Sequence, residues 1–273
     1  MKKKTRKALL WISCILFAVS TVLLLRQYAH NARGSSAYEN ALAVASGGEA
    51  VPKETAETIL PNTTDPAEDI WIPVSIGEDP NLETLEAISL EALRERNPDV
   101  VGWIWIPDTK INYPLMQGTD NDYYLHHTWE QQANSVGSIF LEHRNSPDMM
   151  DYNTIVYGHN MNNGSMFGGL RNFAVESYCQ DHPWIYLLTD SGIFRYEVFA
   201  AYRADVDSAT YGLSFREEKT RAAFLIHALG SSQVDTGVAP ELTDRILTLS
   251  TCSGAGYTNR WVVQARLKMV KVQ

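Results

Sequence analysis

Ile246-Leu-Thr-Leu-Ser-Thr-Cys252-Ser-Gly-Ala-Gly-Tyr-Thr-Asn-Arg260-Trp-Val-Val-Gln-Ala-Arg-Leu267 reads as two strands separated by a glycine-containing loop. The first half is apolar and β-branched and stops at a cysteine. The second opens on an arginine and continues apolar, which is the pattern of two half-buried strands. Folded as a hairpin, the pair returns Arg260 to the side of Cys252. A thiol at a strand end faces a groove while its backbone stays fixed. A guanidinium beside it can hold a substrate carbonyl or a developing oxyanion.

Working outward, six more short runs rich in β-formers lie between turn residues: 100–106, 111–116, 137–141, 154–157, 184–188 and 194–202. With 245–251 and 261–270 they make eight strands, a number that suits a closed barrel or a sandwich. Two helices complete the pattern. Residues 81–96 carry Leu82, Leu85, Ile88, Ala92 and Leu93 on one stripe, with Asn81 as N-cap and Pro98 beyond the end. Residues 215–229 follow a Ser214-x-x-Glu217 capping box and place Ala222, Leu225, Ile226 and Leu229 on one face.

The chain has 273 residues, 45% hydrophobic and 20% charged, which are globular values. Its net charge of −9 argues against a nucleic-acid partner. That charge is uneven. The first 38 residues hold seven bases and no acid, which leaves 16 bases against 32 acids, a net −16, for the rest. Three cysteines cannot build a disulfide framework or a Cys-only zinc site.

Ala8–Leu25 is an uncharged run of 18 residues preceded by five bases. As a helix it spans about 27 Å, the apolar thickness of a bilayer. Residues 1–26 are therefore expected to be a cytoplasmic tip and single-pass signal anchor, amino terminus inside, with the rest extracellular. A cleaved secretory signal has a shorter apolar core. Residues 27–78, rich in Ala, Ser, Thr, Glu, Pro and Gly, predict a flexible stalk with a span of roughly 40 Å. Residues 79–273 form the folded domain.

Cys14 lies in the apolar run, and Cys179 reads as a structural thiol at a helix end. Cys252 is the nucleophile candidate, and a thiol near its ordinary pKa of about 8.5 needs a proton partner. Of seven histidines, His159 also ends a β-rich run, Asn153-Thr-Ile-Val-Tyr-Gly-His159, and precedes an Asn-Met-Asn-Asn-Gly loop.

Tyr-Gly-His159-Asn-Met, Thr248-Leu-Ser-Thr-Cys252 and Arg260 opening a last apolar strand together resemble the sortases, cysteine transpeptidases of Gram-positive cell surfaces. Asn97-Pro-Asp-Val-Val-Gly-Trp-Ile and Ile111-Asn-Tyr-Pro-Leu-Met-Gln are similar to the class B branch. The resemblance covers about residues 80–273. It implies a mainly β fold, an eight-stranded sortase-type β-barrel with an N-terminal helix and a long helix before the Cys-bearing strand. It further implies Cys252 as nucleophile, His159 as general acid and base, and Arg260 as oxyanion and substrate stabiliser, with no metal and no cofactor. The implied partners are surface proteins carrying a C-terminal sorting signal and an amine on a peptidoglycan precursor or pilin. Ser250 and Thr251 point to alternate faces of their strand, so only one can line the groove, and the resemblance favours Ser250. Asn121 and Leu125 resemble class B residues of the groove floor. A membrane-tethered cysteine protease or amidase would use the same Cys252–His159 pair with water as acceptor, and a non-catalytic stalked domain would leave Cys252 unreactive.

Overall fold

The structure, a computed structural model, describes residues 3–47, 79–252 and 258–272, with the side chains of residues 3–10 and Cys252 excepted. The eight expected strands are present: β1 (Val100–Trp105), β2 (Asn112–Met116), β3 (Ile139–Leu141), β4 (Asn153–Gly158), β5 (Trp184–Thr189), β6 (Gly192–Asp205), β7 (Ile246–Cys252) and β8 (Asn259–Lys271). They close into a barrel in the order β1-β2-β3-β4-β7-β8-β6-β5. The β2–β3 and β4–β7 pairs are parallel and the other six antiparallel.

Alternation along the strands divides the apolar side chains between two cores. Trp103, Val156, Leu247, Leu249, Val263 and Ala265 belong to the main cluster. Ile246, Val262, Ala200, Tyr202 and Ala204 belong to a second cluster that packs with Phe215, Phe224, Leu225 and Ala228. The last three lie on helix α5 (Glu218–Ser231). Its expected start at Phe215 and its capping box are corrected. Glu217 is the N-cap and makes no side-chain cap bond, because burial of Phe215 in the second core holds that segment out of the helix. Ile226 and Leu229, expected on the packed stripe, are exposed.

The expected helix over residues 81–96 is two shorter ones, α2 (Asn81–Glu86) and α3 (Leu90–Arg94). Ser89 breaks the run. Its extended backbone lets its hydroxyl accept from the Ala92 N–H at 3.1 Å and cap α3. Pro80, not Asn81, is the α2 N-cap, and the Asp79 carboxylate accepts the Asn81 N–H at 3.0 Å. The helix expected around Cys179 is α4 (Glu176–Asp181), which buries Cys179, whose thiol donates to the Phe173 carbonyl and whose pKa burial pushes up to about 11. That thiol is structural.

The largest departure is at the amino terminus. Helix α1 runs without interruption from Lys3 to Ser46, so residues 27–46 of the expected flexible stalk are helical. Gly34, Ala37, Tyr38, Ala41 and Ala45 form one buried stripe at helical spacing. Their small side chains let the helix approach the domain closely, and the Ser89 N–H donates to the Ala45 carbonyl at 2.9 Å. The rest of the expected stalk, 48–78, lies outside the described residues. Among those described, α1 is the one helix long and apolar enough to cross a membrane.

A buried polar cluster fixes β4 to its neighbours. Thr248 Oγ1 donates to Asn153 Oδ1 at 2.7 Å and accepts from Gln264 Nε2 at 2.9 Å. Asn153 Nδ2 donates to the carbonyls of Thr210 and Gly212 at 3.1 and 2.9 Å. Removing one member leaves several desolvated groups unpaired, each at a cost of about 1–3 kcal/mol. Asn153→Ala is therefore expected to lower stability by roughly 2–4 kcal/mol, measured by urea unfolding.

Candidate active site

Strand register assembles the site. In the antiparallel β7–β8 hairpin Cys252 is the direct partner of Arg260. In the parallel β4–β7 ladder Tyr157 pairs with Ser250 and Gly158 with Thr251. Carried one step further, that register sets His159 level with Cys252. Because strand side chains alternate, Tyr157 and Ser250 share one face, and Gly158 and Thr251 lie on the other. Backbone pairing thus sets two of the three strand-end residues picked out in the sequence, Cys252 and Arg260, on one rung, and the parallel ladder ends at Gly158, one residue before His159. The Ser253-Gly-Ala-Gly loop lies outside the described residues.

His159 is held by backbone. Its Nε2 lies 2.7 Å from the Leu125 carbonyl, which can only accept, so Nε2 carries the hydrogen and Nδ1 is left as the basic nitrogen of the neutral ring. The His159 carbonyl accepts from the Phe167 N–H at 3.0 Å. Arg260 is half-buried and donates from Nη1 to the Asn259 carbonyl at 3.2 Å.

The four residues expected to contact substrate divide. Ser250 is on the face it shares with Tyr157, where its hydroxyl lies 2.9 Å from the Tyr211 hydroxyl. Thr251 points to the other face, into a cavity of about 260 Å³ lined also by Asn160, Arg171, Arg203 and Trp261, and its buried hydroxyl has no partner among the described residues. Asn121 donates from Nδ2 to Glu142 Oε2 at 2.6 Å and accepts the His143 N–H at 2.9 Å. Leu125 is half-buried beside His159 and acts on the ring through its carbonyl.

Three residues complete this face that the sequence alone did not single out. Glu142, with a side chain 1% exposed, accepts from Arg144 Nε at 2.7 Å and from the Tyr157 hydroxyl at 3.1 Å. The Tyr157 and Tyr211 rings stack with centroids 6.5 Å apart. The line Glu142–Tyr157–Tyr211–Ser250 therefore ends two residues before Cys252 in β7. Tyr157 was within reach of the period-2 rule, standing two residues before His159 as Ser250 stands two before Cys252. Tyr211 sits on a short 3-10 turn and carries no local signal.

Burial alone would raise the Glu142 carboxyl. The hydrogen bonds from Arg144, Asn121 and Tyr157, with the Arg144 charge, more than offset it and hold the group below its ordinary 4.5. Burial first, and then the Glu142 charge, push the Tyr157 phenol up, so it remains a neutral donor. A carboxyl with a depressed folded-state pKa stabilises the native state above its unfolded pKa, and that contribution is lost as pH falls through the folded value. The Tm difference between the wild type and Glu142→Gln is accordingly expected to be largest at neutral pH and to narrow progressively below about pH 4.5, as followed by circular dichroism.

Comparison with known proteins places this geometry in context. The Sortase domain model matches residues 104–268. Sortase B of Listeria monocytogenes is 40% identical over 182 residues, covering 65% of this chain and 73% of the relative. Sortase B of Staphylococcus aureus is 34% identical over 184 residues, covering 67% and 75%. Among solved structures, the Staphylococcus aureus sortase B–substrate complex superposes with a TM-score of 0.63 at 33% identity, covering 67% of this chain and 85% of that one. Sortase B of B. anthracis in complex with AAEK2 gives 0.61 at 37%, covering 67% and 83%.

Proposed function

The chain belongs to the sortase family, class B, and is a cysteine transpeptidase of surface proteins; we propose that it cleaves a C-terminal sorting motif through a Cys252 thioester and passes the acyl group to an amine. The observation that supports this reading is the shared rung of Cys252 and Arg260, beside a parallel ladder whose last rung, Gly158 with Thr251, stands one residue before His159 and Cys252. The Cys252 thiol gives its proton to His159 Nδ1, and the resulting thiolate attacks the carbonyl between the last two residues of the motif. His159 protonates the leaving amine from Nδ1, the nitrogen that its Leu125 bond leaves available, because an amide nitrogen is not expelled unprotonated. An amine on a peptidoglycan precursor or pilin then attacks the thioester, and His159 takes up its proton. Arg260 and nearby backbone N–H groups hold the oxyanion in both tetrahedral intermediates, and the guanidinium favours thiolate. Ser250 and Asn121 line the motif's path, with Leu125 on its floor, and Thr251 serves the opposite face of its strand.

Residues 1–26 anchor the chain as a single pass. The five leading bases keep the amino terminus cytoplasmic and the catalytic domain extracellular. The apolar run ends at Leu25, and Tyr38, seated on the domain, is 13 residues on, about 20 Å along the helix. The domain is thus held near the membrane surface.

Purified protein incubated with sorting-motif peptides, with and without an added amine, tests the function. Amine-stimulated turnover is expected, and Cys252→Ala should abolish acylation with the fold intact. Hydrolysis indifferent to amine would identify a protease. Arg260→Lys keeps the charge but loses the planar fork that reaches two acceptors at once. Steady-state kinetics are expected to show kcat reduced about 10²–10³-fold with KM little changed, because the interaction strengthens in the transition state.

A further inference from the structure

We propose that the membrane-proximal half of α1 is part of the apparatus that positions His159, with Tyr38 as the positioning residue. This inference rests on the reading of His159 as the proton carrier. It concerns a helix that lies outside the family match, which begins at residue 104.

The connection runs through the segment 125–138. Tyr38, 6% exposed, donates its hydroxyl to the Gly137 carbonyl and lies 3.1 Å from the Ser138 hydroxyl. Gly137 in turn forms the wall of the imidazole. Its φ of +60° is a backbone state that favours glycine, and a Cβ there would meet the Leu125 carbonyl at 2.7 Å and His159 Cδ2 at 2.8 Å. The same segment supplies, at Leu125, the carbonyl that fixes the His159 tautomer.

Three more bonds seat the helix on this segment. Trp129 Nε1 donates to the Ala37 carbonyl at 2.8 Å, Asn134 Nδ2 to the His30 carbonyl at 3.0 Å, and the Ser135 hydroxyl to Asn31 Oδ1 at 3.0 Å. A second route reaches His159 from its other side. The Tyr38 ring packs edge-on against Tyr113 at 5.3 Å, and the Tyr113 hydroxyl accepts from the Met166 N–H at 3.0 Å. Met166 pairs with Asn160, the residue after His159. Burial pushes the Tyr38 phenol up, so it stays a hydroxyl donor at all working pH values. Tyr38 itself touches neither substrate nor reacting atoms. It acts by holding Gly137 against the ring.

Full-length protein in nanodiscs, with histidines labelled with ¹⁵N, provides the test. In the wild type the His159 Hε2 proton, assigned by its loss in His159→Gln, is expected to be protected by the Leu125 carbonyl. Tyr38→Phe keeps the packing and removes only the hydroxyl. It should shift that resonance and speed its exchange severalfold, and lower kcat about threefold to tenfold with KM near wild type and Tm lowered by a few degrees. Gly34→Ala, whose Cβ would meet Asn134 Oδ1 at 2.6 Å and Val136 Cγ2 at 2.7 Å, should change the same resonance by unseating the helix without touching Tyr38. Leu42→Ala, on the exposed side of α1, should change nothing. An unchanged His159 resonance in both Tyr38→Phe and Gly34→Ala overturns the proposal, whatever happens to activity. Should the wild type show no amine-dependent turnover, the transpeptidase reading fails, and the His159 resonance still decides the positioning claim.

Discussion

The parallel pairing of β4 with β7 is the constraint on which the site depends. Parallel neighbours cannot be joined by a tight turn, so the chain must travel from Gly158 to Ile246 before the pair can form. Within that excursion lie β5, β6 and α5, which close the barrel and cover the face that β7 would otherwise expose. The long connection brings two strand ends from distant sequence to neighbouring rungs of one ladder. One carries an imidazole and the other a thiol. A one-residue slip would turn His159 or Cys252 to the opposite face, so register and chemistry are the same requirement. The buried cluster of Asn153, Thr248 and Gln264 sits in this ladder and admits only one pairing of donors with acceptors.

Backbone groups do much of the remaining work. The Leu125 carbonyl decides which imidazole nitrogen carries the hydrogen, and the Gly137 backbone limits where the ring can sit. Groups of this kind cost little side-chain entropy to hold in place, because their position follows from the turns around them. The line from Glu142 through Tyr157 and Tyr211 to Ser250 is a side-chain counterpart. A buried carboxylate orients one phenol, whose ring stacks on a second, whose hydroxyl meets the serine two residues before Cys252.

The eight strands were legible because alternation and turn residues are local signals, and the hairpin that returns Arg260 to Cys252 is the observed one. The helices were less so. The stripe over 81–96 is continuous in periodicity, yet Ser89 takes an extended backbone to cap a new helix, a choice settled by tertiary contacts. The start of α5 was misplaced because the capping-box pattern competes with burial of Phe215, and burial wins. The resemblance singled out Leu125 by its side chain, but the contact of its carbonyl with His159 was not legible, since every residue has a carbonyl. Tyr211 and Glu142 reach the site from a short turn and a strand end whose positions only the closed barrel defines.

The reading of residues 27–46 as stalk failed for a reason that bears on function. Gly34, Ala37, Ala41 and Ala45 repeat at helical spacing, but alanine and glycine hardly register as apolar, and such composition also marks linkers. Small residues are what close approach of a helix requires, since each larger side chain would hold the backbones apart. The one large member, Tyr38, sits amid the small residues and carries its hydroxyl to Gly137. A flexible tether would leave the domain free to turn at a distance from the bilayer. On the proposed single-pass anchoring, a helix continuous with the apolar run and seated on the segment beside His159 would give the groove a set height and orientation instead. On the proposed transfer, the incoming amine would then meet the Cys252 acyl group from a restricted direction, which would lower the orientational cost of the second half-reaction.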